Sequence, residues 1–238
     1  MTRILDLYCG AGGAGAGYRR VGFDVVGVDI NPQPDYPFTF VQGDATDLVR
    51  DRSYGCFHFK SNSWRCLGNF DAIHMSPPCQ GYTALTTGTN AGSTAQPKLV
   101  AQMREWADAT GLPYVIENVQ GSDVRRDLTL CGEMFGLSVI RHRYFEVSGF
   151  AARPPEHIPH RGRVKGWRHG EFFDGPYFAV YGEGGGKGSV AEWQDAMGMH
   201  WTDNRHSIAE AIPPAYTEFI GDQLMASLLA STQHRKGG

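Results

Sequence analysis

Five glycines within eight residues, placed between two apolar segments, form the feature that most constrains the fold of this chain. Arg3–Cys9 is predicted as a short buried strand, and it leads directly into the glycine run Gly10–Gly17. A second predicted strand, Val25–Asp29, follows and ends in a carboxylate. Glycines allow a tight turn and a close approach of the backbone to a ligand. The pattern therefore predicts a strand–turn–strand unit of an α/β sheet.

The same run has the spacing of a nucleotide-binding turn. Gly10, Gly12 and Gly15 match the pattern Gly-x-Gly-x-x-Gly, and Asp29 lies 19 residues after the first of them. An acidic residue at this place suits the hydroxyls of a ribose. Alone, the pattern indicates a nucleotide-like cofactor, either a nicotinamide dinucleotide or S-adenosylmethionine.

Further polar residues follow other predicted strands. Asp44 comes after Phe38–Val41, where it could accept a hydrogen bond from an adenine amino group or, equally, cap a helix. Glu117 and Asn118 end the apolar run that starts at Pro113. Because ligands of open α/β sheets bind outside the carboxyl ends of the strands, we expect these side chains to outline one pocket.

Pro77-Pro78-Cys79-Gln80 follows another strand-like run, Phe70–Ser76. The two prolines fix φ near about −65° and stiffen the loop, which fixes the direction of the thiol. Such a cysteine is a candidate nucleophile. The alternative is a proline-bordered turn that carries a buried structural cysteine.

Arg141, Arg143 and Phe145 alternate, so they would share one face of a strand. A charged edge strand is the alternative interpretation of this pattern.

The motifs, in this order, resemble the DNA (cytosine-5) methyltransferase family, and in particular a compact, phage-like member. The resemblance rests on Asp6–Gly13, Asp29, Gly43-Asp44, Pro77–Gly81, Glu117–Val119, Arg141–Arg143 and, near the end of the chain, Ile208–Tyr216. It implies an α/β fold with the Rossmann-like sheet of class I S-adenosylmethionine-dependent methyltransferases, flanking helices and a small C-terminal insertion. The segment Ile208–Tyr216 would close the cofactor pocket.

The resemblance also implies a reaction. The Cys79 thiolate would add to carbon 6 of a cytosine, and carbon 5 would then accept the methyl group of S-adenosylmethionine. Glu117 would hold ring nitrogen 3 and share a proton with it, whereas Arg143, with Arg141 beside it, would hold the carbonyl oxygen of the base. The target base would have to be flipped out of a duplex or already lie in a single strand.

Binding roles follow from the resemblance in the same way. The cofactor would contact Asp6, Tyr8, Gly10, Gly12, Gly13, Asp29, Ile30, Asp44, Ala45 and Pro78. The substrate would contact Ser76, Pro77, Gln80 and Asn118, although Asn118 could instead brace the loop, and Tyr8 could be a core aromatic residue.

Composition is compatible with a single large domain. The 238 residues are 41% hydrophobic, and neither a signal peptide nor a membrane-spanning apolar run is present. Five irregularly spaced cysteines indicate a reducing cytoplasm and no disulfide framework. Cys56, His58 and Cys66 lack a fourth ligand at a suitable spacing, so we expect no metal. We also expect a monomer that does not bind membranes.

The net charge of −3 hides an uneven distribution. Residues 141–170 carry a net charge of +5, with histidines and Trp167 between the basic residues, which suits contact with phosphates and bases or, alternatively, a solvated loop. We expect a catalytic and cofactor-binding core at 1–147, a reduced target-recognition insertion at 148–190 and a segment that returns to the core at 191–238. So short an insertion suggests loose specificity or a separate recognition or restriction partner.

Three functions remain open at this point. The first is methylation of cytosine in duplex DNA. The second is the same chemistry on RNA or a free cytosine nucleotide. The third is a non-catalytic DNA-binding relative or a nicotinamide-dependent enzyme.

Overall fold

The computed structural model describes residues 1–50, 56–59, 63–78, 99–182 and 188–236. The strands in chain order are β1 (Arg3–Leu7), β2 (Asp24–Asp29), β3 (Thr39–Gln42), β4 (Cys56–Phe59), β5 (Ser63–Cys66), β6 (Ala72–Met75), β7 (Tyr114–Asn118), β8 (Leu128–Leu130), β9 (Arg143–Ser148), β10 (Gly166–Arg168) and β11 (Glu171–Phe173). The helices are α1 (Gly13–Arg20), α2 (Ala45–Arg50), α3 (Val100–Thr110), α4 (Val190–Met197), α5 (Arg205–Glu210) and α6 (Pro214–Lys236).

Seven strands form one sheet in the order β3-β2-β1-β6-β7-β9-β8. All of them run parallel except β9, which lies antiparallel between β7 and β8. The chain leaves β1 toward β2 on one side and later returns to β6 on the other side. This reversal of strand order opens a crevice beyond the carboxyl ends of β1 and β6. The α/β prediction is thereby confirmed.

Helices cover both faces of the sheet, which explains why its central strands are apolar throughout. Every residue of β6 and of β7 is buried. On one face, Met103 and Trp106 of α3 pack into the core, and on the other face Tyr18 of α1 packs beside Leu224 of α6. The last of these helices, α6, extends to Lys236.

The glycine run has a second use, because it lets α1 pack closely on α6. A Cβ atom on Gly17 would collide with the Pro214 carbonyl oxygen and the Thr217 hydroxyl. Thr217 Oγ1 in turn donates a hydrogen bond of 2.8 Å to the Ala14 carbonyl. The C-terminal helix is thus held against the turn that follows β1.

The segment between β9 and α4 forms a small layer beside the sheet. It contains the hairpin of β10 and β11, and it returns to the core where Phe178 N donates a 2.8 Å hydrogen bond to Ser138 O. Tyr177 is buried and donates to Glu133. In the part of the chain that the structure describes, no helix combines the length and apolarity needed to cross a bilayer.

Candidate functional site

A cavity of about 640 Å³ opens at the carboxyl edge of β1, β2, β6 and β7. Most of the residues predicted for the site line it. These are Tyr8, Gly10, Gly13, Asp29, Ile30, Ser76, Pro77, Pro78, Glu117, Asn118, Arg141 and Arg143. The sheet therefore brings together residues that are more than a hundred positions apart in the chain.

Six predicted residues stand apart from this set. Cys79 and Gln80 lie outside the described residues, directly after Pro78. Asp6, Gly12, Asp44 and Ala45 are described but are not among the residues that line the cavity.

The turn after β1 orients a carboxylate at the cavity. Gly10 and Gly12 have φ values of +48° and +89°, which strain residues with side chains. The Gly10 N–H donates to Asp29 Oδ2 at 3.0 Å, and the Asn31 N–H donates to Asp29 Oδ1 at 2.9 Å. These two bonds hold the Asp29 carboxylate at the end of β2.

The chemistry of this side of the cavity fits S-adenosylmethionine. Asp29 offers acceptor oxygens for ribose hydroxyls, and Ile30, 58% exposed, presents an apolar side chain on which an adenine ring could lie. Tyr8 adds an aromatic ring whose hydroxyl donates to Met103 Sδ at 3.4 Å. Gly13 lies so close to the Ile212 carbonyl oxygen that a Cβ atom would collide with it.

Asp44 and Asp6 have partners within the protein. Asp44 Oδ1 accepts hydrogen bonds from Thr46 N (2.9 Å) and Thr46 Oγ1 (2.7 Å) at the start of α2. In this arrangement Asp44 caps the helix, which is the alternative to a contact with adenine. Asp6 is fully buried and accepts a hydrogen bond from Tyr36 at 3.4 Å. Burial raises the pKa of Asp6 to about 8, against the smaller lowering effect of the Tyr36 hydrogen bond.

On the opposite side of the cavity, the buried carboxyl group of Glu117 forms an ion pair with the half-buried guanidinium of Arg143. Arg143 Nε lies 3.1 Å from Glu117 Oε1, yet this oxygen receives no well-aligned hydrogen bond from the described residues. Burial raises the pKa of Glu117, although the charges of Arg143 and Arg141 and a hydrogen bond from Ser76 oppose the increase. The net effect of these surroundings is to favour the protonated carboxyl more than water does.

A buried polar chain behind Glu117 was not predicted from the sequence. Tyr18 Oη lies 3.0 Å from His74 Nδ1, and His74 Nε2 lies 2.9 Å from Ser76 Oγ. Burial lowers the pKa of His74 to about 3, so the ring is neutral. The simplest arrangement has Tyr18 donating to His74, His74 to Ser76, and Ser76 to Glu117. The only signal in the sequence is a histidine within an otherwise apolar strand.

Two other predicted residues brace the walls of the cavity. Asn118 Nδ2 donates to Pro77 O at 2.8 Å and thereby holds the proline loop. Arg141 donates hydrogen bonds to Val180 O (2.9 Å) and Ala209 O (2.5 Å). These bonds link the chain just before β9 to the segments 148–190 and 191–238.

Comparisons with known proteins agree with the fold. No protein-family model matches the chain. The Type II methyltransferase M.AgeI of Thalassovita gelatinovora is 25% identical in an alignment 210 residues long, and the match covers 73% of this chain and 47% of that protein. The chain thus spans about half the length of this curated relative.

Two solved structures match nearly the whole chain. The Dnmt2 methyltransferase of S. pombe has a TM-score of 0.60 at 13% identity, covering 96% of this chain and 99% of its own. The Entamoeba histolytica methyltransferase EhMeth has a TM-score of 0.54 at 12% identity, covering 98% and 99%. The fold is therefore that of Rossmann-like class I S-adenosylmethionine-dependent methyltransferases.

Proposed function

We propose that this protein transfers a methyl group from S-adenosylmethionine to carbon 5 of cytosine in DNA. The observation that carries the proposal is the Glu117–Arg143 ion pair, which faces the same cavity as the Asp29 carboxylate. The resemblance of Pro77-Pro78-Cys79-Gln80 to a catalytic loop, and a relative named as a Type II methyltransferase, support it.

Each residue of the pair has a defined task in this reaction. S-adenosylmethionine, when bound, supplies an electrophilic methyl group on a sulfonium. The Cys79 thiolate forms a bond to carbon 6, and the electron pair of the ring double bond becomes available at carbon 5. Protonated Glu117 donates a hydrogen bond to ring nitrogen 3, which favours this addition. Arg143 binds the carbonyl oxygen of the base. Once carbon 5 carries the methyl group, it loses its proton to a water molecule, the ring double bond re-forms and the Cys79 thiolate leaves carbon 6.

DNA recognition is assigned to the segment 148–190. Trp167 of β10 is 71% exposed and lies edge-on to the exposed ring of Phe172 on β11, with 5.5 Å between ring centroids. Arg163 lies over Phe173 at 4.8 Å. Exposed rings beside cations suit stacking on bases and contact with phosphates. The small size of this segment also keeps RNA or a free cytosine nucleotide as the second candidate substrate.

Labelled S-adenosylmethionine and unmethylated duplex DNA test the proposal, with bisulfite sequencing of the product. We expect protected cytosines in one short sequence context. Cofactor binding without transfer to duplex DNA, but with transfer to RNA or to a nucleotide, would favour the second candidate. Preferential binding of a nicotinamide dinucleotide would contradict both.

The variant Cys79→Ser examines the covalent step. A hydroxyl is a far weaker nucleophile than a thiolate, so we expect turnover to fall by at least about 10³-fold. Affinity for S-adenosylmethionine, measured by calorimetry, should stay close to that of the wild type. Undiminished turnover in this variant would rule out Cys79 as the nucleophile.

A further inference from the structure

Four potential metal ligands converge next to β8 and β9, and none of them is assigned a part in the proposed reaction. They are Cys131, His142, His157 and His160, and one ligand atom from each lies within 4.8 Å of all the others. Cys131 follows β8 and His142 precedes β9, whereas His157 and His160 belong to the segment 148–190.

The distances match those of a tetrahedral zinc site. Cys131 Sγ lies 3.4 Å from His160 Nε2, and His142 Nε2 lies 3.2 Å from His157 Nε2. With zinc–sulfur and zinc–nitrogen bonds of usual length, neighbouring ligand atoms of a tetrahedron are about 3.3–3.6 Å apart. The ligand atoms of the other pairs lie within 4.8 Å of one another. One thiolate and three imidazoles are donors that zinc prefers.

The surroundings of the cluster are also those of a metal site. The Cys131 thiol is buried, and the backbone N–H groups of Gly132, Glu133 and Arg141 lie within hydrogen-bond reach of its sulfur. Such N–H groups stabilise a metal-bound thiolate. His157 is exposed, which gives an ion a path from solvent. The rings of His142 and His157 stack at 5.3 Å with an angle of 16° between planes.

We propose that Cys131, His142, His157 and His160 bind one structural Zn²⁺ ion. The ion fastens the segment 148–190 to the strand that carries Arg143. His142 is the link, because its carbonyl oxygen accepts a 2.9 Å hydrogen bond from Arg143 Nη1. Zinc bound to the His142 ring thus helps to hold the guanidinium that pairs with Glu117. The linear spacing of the four residues follows no zinc pattern, so sequence analysis alone predicts no metal here.

Metal content tests the proposal independently of any methyl transfer. The full chain is produced without a polyhistidine tag and its zinc is measured by mass spectrometry. We expect about one zinc per chain. Replacement of zinc by Co²⁺ should give the intense visible bands of a tetrahedral ion and a sulfur-to-cobalt charge-transfer band. The variant Cys131→Ser should lose the charge-transfer band.

Two histidine variants complete the test. His157→Ala removes an exposed ligand and should still fold, as judged by circular dichroism, yet bind zinc far more weakly in competition with a chromophoric chelator. His200→Ala is the matched control, because His200 is an exposed histidine outside the cluster. The proposal is overturned if the wild type neither carries nor takes up stoichiometric zinc, or if His157→Ala retains as much metal as His200→Ala. Because His157→Ala decides the matter, misfolding of Cys131→Ser would leave the test intact.

Discussion

Two opposing effects set the protonation of Glu117. Burial favours the neutral carboxyl, whereas the charge of Arg143 and the hydrogen bond from Ser76 favour the carboxylate. Ser76 is itself oriented by His74, which stays neutral and cannot add a positive charge beside the pair. The hydrogen-bonded chain Tyr18–His74–Ser76 thus helps to position the Glu117 carboxyl group. His74 itself is not among the residues that line the cavity.

Ser76→Ala should raise the pKa of Glu117, because it removes one of the groups that lower it. If turnover requires protonated Glu117, activity falls as the pH rises through this pKa. The alkaline limb of the rate in the variant should therefore lie at higher pH than in the wild type. Single-turnover methyl transfer over a range of neutral and alkaline pH measures the shift.

Glu117→Gln is the control for this experiment. It leaves no carboxyl group to titrate, so the alkaline limb due to Glu117 should be absent and the rate should be about 10²–10⁴-fold lower. An unchanged alkaline limb in Ser76→Ala would contradict the role of Ser76.

At the scale of elements, α1 depends on α6 more than on its own sequence. α1 is eight residues long and contains three glycines, which are poor helix formers. Its glycines instead allow contact with α6, and the Thr217 hydroxyl bonds to its backbone. Packing therefore compensates for weak helix propensity.

Gly17→Ala measures this packing directly. Alanine in a helix interior is favoured over glycine by up to about 1 kcal/mol, so propensity alone predicts stabilisation. The added Cβ collides with backbone and hydroxyl oxygens of α6, and overpacking costs about 1–3 kcal/mol. We expect a net decrease in the free energy of unfolding, measured by urea denaturation. Gly68→Ala, where a Cβ meets open space, should show no such decrease.

The hairpin of β10 and β11 is the element for which we expect the largest effect on DNA binding. Stacking on an aromatic ring contributes about 1–3 kcal/mol for each base. Trp167→Ala should therefore raise the Kd for DNA about tenfold or more, measured by fluorescence anisotropy at fixed salt. Leu229→Ala removes an exposed apolar side chain on α6 and should leave the Kd unchanged. Equal affinities of the two variants would argue against the hairpin as a stacking surface.

At the scale of the whole molecule, the sequence predicts local features better than it predicts contacts between residues far apart in the chain. The strand β1, its glycine turn and the carboxylate of Asp29 could be predicted, because each depends on neighbours in the chain. The buried contact of Tyr18 with His74 joins residues 56 positions apart, and Arg141 bonds to a carbonyl 68 positions away. No periodicity or motif encodes such pairs, since only the sheet order brings them together.

Sheet order also places two unusual titrating groups in the core, and their effects on stability oppose each other. Unfolding lowers the pKa of Asp6 from about 8 to an ordinary value near 3.8. The contribution of Asp6 to the free energy of unfolding is therefore lost as the pH rises through this range. Unfolding raises the pKa of His74 from about 3 to an ordinary value near 6.5, so its contribution is lost as the pH falls. The pH dependence due to Asp6 and that due to His74 offset each other between pH 3.8 and 6.5, and above pH 6.5 only Asp6 contributes.

Asp6→Asn should isolate the contribution of Asp6. Asparagine resembles the protonated carboxyl and keeps an acceptor for Tyr36, but it does not titrate. The free energy of unfolding of the variant should therefore rise relative to the wild type between pH 6.5 and 8, by up to about 1.4 kcal/mol per pH unit. Urea denaturation at several pH values measures this difference, with Asp203→Asn as the exposed control. If the difference in free energy of unfolding between variant and wild type stays constant over this range, Asp6 is already ionised in the folded protein. Water would then reach the Asp6 carboxylate beneath the glycine turn.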